Sequence, residues 1–350
     1  MATIKDVART AGVSMSTVSH VLTGNRPISE ATRARVLEAV GKLGYRPNQL
    51  AQGLVSKSSH SIGLLVPDLA NPFFSSIAEA MEIAAHDSGY SVILCNTNLD
   101  PAREADYLAV LLGRQVDGLL YFPGTRVPNP ALMNAVATGV PVIIVDERID
   151  NLSGVFVDNF DGGRQVGKLL GDLGHRSILF IGGLEGLPTV SDRFEGLKAG
   201  LAASRVELEA LHTRFGEYRA THGYEAVHAC AREGIFAAKA PTRPTAVVAA
   251  NDMIALGALR ALRELHLRVP QDCSLVGFDG VELTSLITPS LTTVQQPSGK
   301  VAQSAVHLLL SRMGRDDHNK DDNGAFRDTS HIILPVTLIV RESVAAPPGL

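Results

Sequence analysis

The feature that most constrains the fold is an alternation of short β-rich runs with helical stretches, which begins at Ser61. Each run is apolar, is bounded by Gly, Pro or Asp, and is followed by a stretch with helical spacing. This rhythm is typical of repeated β–α units, in which helices connect the parallel strands of one sheet. One series starts with SIGLLVP and a second with SILFIGG. The sequence therefore predicts two mostly parallel, doubly wound sheets, which form two lobes with a cleft between them.

A ligand site is predicted at the ends of these runs, because doubly wound sheets bind ligands beyond the carboxyl ends of their strands. Carboxylates and amides bind hydroxyl groups, Arg donates in a fork, and aromatic rings cover C–H surface. Each residue taken alone could instead be a helix cap or a turn former. The polar and aromatic residues that follow the runs are Asn71, Phe73, Phe74, Asp146, Arg148, Arg193, Tyr218, Asn251, Asp252, Asp279, Gln295 and Gln296.

Residues 5–22, ahead of this series, predict two short helices joined by a tight turn. Gly12 permits the turn, and Ser14 is placed to cap the second helix through its hydroxyl. A third helix is expected between an N-cap at Ser29 and an end at Gly44. This arrangement predicts a helix-turn-helix, although two amphipathic helices could also simply close a small core.

The second helix of this unit has an apolar and a polar face. Its buried stripe is predicted to consist of Val18, Val21 and Leu22. The start of the polar face is the part that reads base edges in a DNA major groove, whereas hydroxyl groups contact phosphates and fix the register. The expected base readers are Met15, Ser16 and His20, and the expected phosphate contacts are Ser14, Thr17 and Ser19.

The charge distribution favours nucleic acid as a partner of the N-terminal part. Residues 1–58 carry a net charge of +5 and the remainder carries −9, within a total of −4. A basic N-terminal part would neutralise DNA phosphates, whereas an acidic remainder would be repelled by the negatively charged DNA. Such a charge run is also compatible with an ordinary solvated face.

Other compositional features exclude several classes of protein. The three cysteines are far apart without metal-ligand spacing, so they are expected to be buried reduced thiols. No apolar run approaches the roughly 20 residues of a membrane helix. The N-terminus lacks the apolar region of a secretory signal, so a cytoplasmic protein is expected. GGLEGL, from Gly182, matches neither a P-loop nor GxGxxG, and the eleven histidines are scattered. We therefore expect no enzyme, no cofactor and no metal site.

The N-terminal motifs resemble those of the lactose/galactose-repressor (LacI/GalR) family, and the resemblance extends over residues 2–342. The matching segments are TIKDVARTAGVSMSTVSHVL, ISEATRARVLEAVGKLGYRPN and LAQGL. It implies a small all-α helix-turn-helix head at 1–46, a hinge at 47–58, and an α/β, two-lobed effector domain at 59–345 that is periplasmic-binding-protein-like (type I). Lobe 1 is expected at about 60–160 and 293–325, and lobe 2 at about 161–292 and 326–345.

The resemblance also implies how DNA is bound. Arg26 is similar to a position that reaches DNA in some members, and His20 with Arg26 resembles the purine- and ribose-repressor branch. The segment Asn48–Leu54 is too short to be a stable helix alone. In the family this hinge pairs with a second copy in the minor groove, where Leu54 matches the inserted leucine and Ala51 the small partner residue.

The motifs NPFF, NDM, GFD and TTVQQP resemble the sugar site of this family and of periplasmic sugar-binding proteins. One departure is that Glu147 separates Asp146 from Arg148, which leaves the role of Arg148 open. The residues carried over as effector-binding are Asn71, Phe73, Phe74, Asp146, Arg193, Tyr218, Asn251, Asp279 and Gln296, with Arg148 as a doubtful addition.

Together these features predict a dimeric repressor of carbohydrate-utilisation genes. Its expected partners are pseudo-palindromic double-stranded operator DNA, a second copy of the chain and a small sugar or sugar-like effector, with no membrane. A purine-type corepressor system stays open as an alternative. A solute-binding transport protein is the rival of another class, disfavoured by the DNA head. Whether the effector releases DNA or promotes binding stays open, as do its identity and the role of the polar stretch at 314–328.

Overall fold

The computed structural model describes residues 2–23, 26–45, 58–124, 128–204, 210–237, 240, 242–314 and 329–348. Two compact units are distinguished, Met1–His60 and Ser61–Leu350, which we call the head and the body. This division falls close to the expected start of the effector domain at residue 59. None of the helices in the described segments is long and apolar enough to span a membrane.

The described part of the head contains three helices, α1 at Ile4–Ala11, α2 at Met15–Thr23 and α3 at Glu30–Leu43. Thr3 caps α1 in a reciprocal capping box with Asp6. Gly12 then adopts a left-handed backbone conformation with φ 63°, which a side chain would disfavour, and so forms the turn. Apolar residues of all three helices meet in a small core: Val7, Ala8, Ala11, Val18, Val21, Val36 and Ala39.

The capping predictions for the head have different outcomes. Ser14 caps α2 as predicted, because its hydroxyl accepts a hydrogen bond of 3.1 Å from the backbone N–H of Thr17. Ser29 stands at the N-cap position of α3, but its side chain makes no capping bond. The hydroxyl instead donates to Oγ1 of Thr32, so the prediction that Ser29 caps this helix was wrong in its chemistry.

The first sheet of the body is six-stranded and parallel throughout, in the order β11-β5-β4-β3-β1-β2. Helices Pro72–Asp87, Pro101–Gly113 and Pro130–Ala137 connect its early strands, as the alternation predicted. Its strands are β1 Ser61–Val66, β2 Ser91–Asn96, β3 Gly118–Tyr121, β4 Val142–Val145, β5 Gly154–Val157 and β11 His331–Leu334.

The second sheet is also six-stranded, in the order β12-β10-β9-β8-β6-β7, and only β12 runs antiparallel to its neighbour. Its strands are β6 Ser177–Ile181, β7 Ala210–Arg214, β8 Ala246–Ala249, β9 Ser274–Asp279, β10 Thr292–Gln295 and β12 Thr337–Ile339. The associated helices are Asn159–Asp172, Pro188–Ala203, Ala220–Arg232, Asp252–Glu264 and Leu283–Leu286.

The chain crosses between the lobes at positions that differ from the expected boundaries. β10 belongs to the second sheet, whereas lobe 1 was expected to resume at 293. β11 pairs with β5 in the first sheet, whereas 326–345 was assigned to lobe 2. Pro335 lies between β11 and β12 and lacks an N–H for a strand ladder, so the apolar run divides there between the two sheets. The helix Ser298–Met313 packs against lobe 1, as predicted.

The helices Asn159–Asp172 and Pro188–Ala203 pack unusually closely, which positions a central site residue. A Cβ atom at Gly163 would lie 2.1 Å from the carbonyl oxygen of Arg193, and one at Gly167 would lie 2.1 Å from that of Leu197. Only glycine permits these approaches. The backbone of Arg193 is therefore held directly against the neighbouring helix.

Candidate ligand-binding cleft and nucleic-acid interface

The carboxyl ends of strands from both sheets face a common cleft, which contains a cavity of about 40 Å³. One water molecule occupies ~30 Å³ in the liquid, so a larger ligand requires the lobes to separate or side chains to move. Lobe 1 supplies Pro67, Asp68, Asn71, Phe74, Leu99, Pro123, Gly124, Asp146 and Glu147, and lobe 2 supplies Leu184, Leu187, Tyr218 and Arg219.

The aromatic motif after β1 divides between the cavity and the core. Asn71 caps the helix Pro72–Asp87, because its Oδ1 accepts a 3.1 Å bond from the N–H of Phe73. Phe73 is buried in the core, and its ring contacts Phe74 edge-on at 5.1 Å between centroids. Phe74 lines the cavity and is supported by Phe122 at 5.7 Å. Of the two phenylalanines, only Phe74 is thus placed to cover a ligand.

Two adjacent acids follow β4. Asp146 has a left-handed backbone with φ 75°, a conformation that costs free energy and is common at functional sites. Its Oδ1 is buried and has no hydrogen-bond partner among the described residues. Glu147 is 5% exposed, and its carboxylate accepts bonds from the hydroxyl of Thr189 and, at 3.3 Å, from the N–H of Thr189. Burial and the charge of Asp146 raise the pKa of Glu147 to about 7.

Glu147 is the residue that the sequence reasoning missed, whereas Arg148, whose role that reasoning left open, does not face the cavity. Arg148 is exposed and does not line the cavity, and its guanidinium carbon lies 5.4 Å from the ring centroid of Phe156. The signal available in the sequence was the acidic pair directly after a buried strand. It was insufficient, because a loop can direct either Glu147 or Arg148 into the cleft.

Arg193 is the central cation of the second lobe and is 5% exposed. Its Nε donates to Oδ1 of Asn159 at 2.8 Å, and its Nη1 donates to the carbonyl of Ala250 at 2.6 Å. Nη1 also lies 3.9 Å from Oδ1 of Asp279. The guanidinium carbon stands 3.7 Å from the ring centroid of Phe278. All of these contacts fix the guanidinium in one orientation.

Asp279 ends β9 with a strained φ of 110°, and its Oδ1 accepts a 2.8 Å bond from Nε2 of Gln296. Burial raises the pKa of Asp279, while the neighbouring Arg193 opposes that shift. The structure brings Arg193, Asp279 and Gln296 together as predicted for one site, although none of the three lines the small cavity in this closed arrangement.

Asp252 supports this arrangement from behind. Its Oδ2 accepts from the backbone N–H groups of Gly280 at 2.8 Å and Val281 at 2.9 Å, and its Oδ1 accepts from the hydroxyl of Thr293 at 2.6 Å. Burial raises the pKa of Asp252 to about 7. Asp252 is thus more than a helix cap, because its carboxylate fixes the loop that follows Asp279.

Tyr218 forms the next part of the wall, and the buried Asn251 lies behind it without lining the cavity. Oδ1 of Asn251 caps the helix Asp252–Glu264 by accepting from Ile254 N–H at 2.8 Å, and Nδ2 donates to the carbonyl of Tyr218 at 3.4 Å. The hydroxyl of Tyr218 lies 3.3 Å from that of Thr189, and burial raises its pKa. Both polar groups of the Asn251 side chain thus have partners within lobe 2, so in this arrangement Asn251 acts as a helix cap and supports the backbone of Tyr218.

Two sets of polar contacts cross the cleft and hold this arrangement closed. One joins Glu147 of lobe 1 to Thr189 of lobe 2. The other joins Nη2 of Arg219 to Oδ2 of Asp68 at 3.5 Å and to Oδ1 of Asn98 at 3.2 Å. A ligand that opens the cleft must displace or stretch these contacts.

The predicted nucleic-acid interface lies on α2 and the loop after it. Met15 is 45% exposed, Ser14, Ser16 and Arg26 are exposed, and Thr17, Ser19 and His20 are half-buried. The Ser14 hydroxyl lies 2.7 Å from that of Ser16 and 2.9 Å from that of Thr17, so these three groups form one cluster at the start of the helix. Ala51 and Leu54 lie outside the described residues.

In the described segments, no three His, Cys, Asp or Glu side chains form a group that could hold a metal ion. Cys95, Cys230 and Cys273 are buried, unpaired thiols, as predicted.

We expect the Glu147 carboxyl to make the stability of the body fall as pH rises. Below about pH 4.5 the folded and unfolded chains both hold its proton. Between about pH 4.5 and 7 only the folded chain keeps it, so rising pH favours unfolding. Glu147→Gln removes this titration, and the variant should gain up to about 3 kcal/mol relative to the wild type across this range. Denaturant unfolding at several pH values measures the difference, and parallel pH curves for the two proteins would contradict it.

Known proteins match this architecture in both units. Residues 3–48 match the family model for bacterial regulatory proteins, lacI family, and residues 168–344 match the periplasmic binding protein-like domain. The chain is 37% identical to the HTH-type transcriptional repressor PurR of Pectobacterium carotovorum subsp. carotovorum (strain PC1), over 100% of this chain and 99% of that protein.

Two further similarities support the same assignment. The ribose operon repressor of Escherichia coli (strain K12) is 36% identical, over 89% of this chain and 93% of that protein. The crystal structure of the lac repressor dimer bound to operator and the anti-inducer ONPF superposes with a TM-score of 0.83, at 30% identity and over 99% of both chains. The resemblance inferred from the N-terminal motifs is confirmed, and the chain belongs to the lacI family of bacterial regulatory proteins.

Proposed function

We propose that this lacI-family protein is a repressor whose affinity for operator DNA is controlled by a small, hydroxyl-rich effector bound between the lobes of the body. The observation that carries the proposal is the cleft itself. Its walls combine carboxylates, an amide and aromatic rings at the carboxyl ends of parallel strands. The same chain carries an exposed helix-turn-helix face. The relative named as the ribose operon repressor supports a sugar as effector.

The repressor is proposed to act as a homodimer on a pseudo-palindromic site. The related lac repressor binds its operator as a dimer. In this chain β2 is an edge strand of the first sheet, with Leu94 exposed on it. Ile83 and Val110 are exposed on helices of the same lobe. A second copy covering these apolar side chains and this strand edge would remove them from water.

Control is proposed to pass through the separation of the lobes. An effector shifts the equilibrium between two body states only by its difference in affinity for them. Opening the cleft stretches the Glu147–Thr189 and Arg219–Asp68 contacts. The closed and open states of the body therefore differ in the polar contacts of these four residues. The hinge contacts of Ala51 and Leu54 with the minor groove remain part of the proposal.

A purine-type corepressor is the second candidate. Phe74 and Tyr218 both line the cavity, and their rings would suit a flat base as well as a sugar ring. The relative named PurR favours this possibility. A thermal-shift screen of the full chain with sugars and with nucleobases separates the two candidates. Stabilisation by a nucleobase alone would replace the sugar hypothesis.

The DNA-reading face is tested by Ser16→Ala and His20→Ala. Each should weaken binding to the operator, selected from fragments of the source genome, by about 1–3 kcal/mol in free energy, because a base contact is lost. Lys198→Ala, on the body surface, also removes a polar side chain and serves as the matched control. Gel-shift titration measures the affinities. Equal affinities for wild type and both head variants would refute this role for α2.

A further inference from the structure

We propose that the effector carries a protonated amine beside its hydroxyl groups, as an amino sugar does, and that the acid pair Asp146–Glu147 selects it over a neutral sugar. The inference rests on the proposed function, because it concerns the ligand of the same cleft. It goes further by assigning a charge to that ligand. Phosphorylated sugars and sugar acids are excluded by the same feature.

The first step is the charge of the cavity wall. Three carboxylates line the cavity: Asp68, Asp146 and Glu147. The arginine that lines it, Arg219, already pairs with Asp68 at 3.5 Å. Arg193 lies behind the wall, with Nε and Nη1 committed to Asn159 and Ala250. Burial raises the pKa of both Asp146 and Glu147, and the charge of Arg193 opposes that effect, but no cation of the described residues makes a direct ion pair with either acid. Buried carboxylates require such a partner.

The second step is the number of acceptors. Oδ1 of Asp146 is buried without a partner in the described part of the chain. Both carboxylate oxygens of Glu147 accept from Thr189, across the cleft. When the lobes separate, Thr189 withdraws and three acceptor oxygens are left together. An ammonium group brings three donors and no acceptor, whereas a phosphate or carboxylate brings only acceptors.

The third step is the cost of ionising the pair without a cation. Burial and the adjacent Asp146 charge raise the pKa of Glu147 to about 7. Placing a second negative charge on the pair Asp146–Glu147 is therefore unfavourable while no ligand is bound. A ligand cation would offset this repulsion, and its attraction to the pair is strengthened because the pair is shielded from water.

The test is a matched panel added to the full-length wild-type protein. The panel contains ribose, glucose and galactose, with the 2-amino-2-deoxy forms, aldonates and phosphate esters of these sugars. Affinity is measured by calorimetry. We expect at least one amino sugar to bind roughly tenfold or more tightly than its neutral parent, and we expect no binding of the anions. An anion that binds, or a neutral sugar that binds as tightly as its amino form, overturns the proposal.

Two variants assign the preference to the acid pair. Glu147→Gln keeps the shape of the side chain but removes its charge, and the amino-to-neutral affinity ratio should fall about tenfold. Asp150→Asn removes the same charge from an exposed position nearby and should leave the ratio unchanged. An unchanged ratio in Glu147→Gln, with its melting transition intact, counts against the proposal.

The panel also separates this proposal from the function on which it rests. If neutral sugars bind as tightly as amino sugars, the proposal of an amine on the effector is wrong, but the proposal of a sugar-controlled repressor is retained. A complete lack of binding, by a protein that still binds operator, overturns both the amine and the sugar effector. Of the proposed function, DNA binding by the head is then retained.

Discussion

Replacing Arg193 with Met is expected to abolish the response of operator binding to effector and to destabilise the body by about 3–5 kcal/mol. The guanidinium is almost fully buried and joins Asn159, the carbonyl of Ala250 and the carboxylate of Asp279. Met fills a similar volume but donates no hydrogen bond. The loss leaves Asp279 as a buried carboxylate that keeps its hydrogen bond from Gln296 but loses its ion pair with Arg193. Asp279, at the end of β9, then has no guanidinium group beside it.

The measurement combines thermal unfolding with effector titration of an operator complex. A destabilisation of this size corresponds to a fall in melting temperature on the order of 10 °C. Arg193→Lys serves as the comparison, because it keeps the charge but not the forked donors. If Met at this position leaves both the melting temperature and the effector response unchanged, the central role of Arg193 is wrong.

The second large effect is expected for Asp252→Ala. This change leaves the N–H groups of Gly280 and Val281 and the hydroxyl of Thr293 without their acceptor. Each such buried donor costs about 1–3 kcal/mol, so we expect a total loss of about 3 kcal/mol or more. Effector affinity should fall as well, because the loop after Asp279 is no longer held.

Asp252→Asn is the matched control. One amide oxygen can accept from both backbone N–H groups, and the amide nitrogen can donate to Thr293 after its hydroxyl turns. Most of the stability and affinity should therefore be retained. Denaturant unfolding and calorimetry measure both variants. Equal stability of Asp252→Ala and the wild type would show that the carboxylate is not what holds this loop.

Local patterns were sufficient to predict much of this molecule. Gly12 and Ser14 identified the turn before α2 and the cap of α2, because both act within a few residues of the backbone. The apolar runs identified most strands of both sheets, although not β5, and their ends identified Asn71, Asp146 and Tyr218 as residues of the cleft wall. Period and turn chemistry are properties of neighbouring residues, and so they can be read from the chain itself.

Contacts between distant segments were not predictable in the same way. The inward direction of Glu147 depends on Thr189, which is 42 residues away in the chain. Asp252 looked like a helix cap because its partners at 280, 281 and 293 lie on later elements. Phe73 was assigned to the ligand, but its side chain packs into the core. Whether a side chain points into the core or into the cleft depends on which side chains pack against it in the folded protein.

The sequence by itself determined a helix-turn-helix head, a doubly wound body and the strand ends at which a ligand site is proposed, since hydrophobic periodicity and turn residues act locally. Only the tertiary structure decided that β10 and β11 exchange lobes, that Arg148 points away and that Glu147 reaches across the cleft. The physical reason is that an acid is retained in a buried wall only when its hydrogen-bond donors are in place, and here the other lobe supplies them.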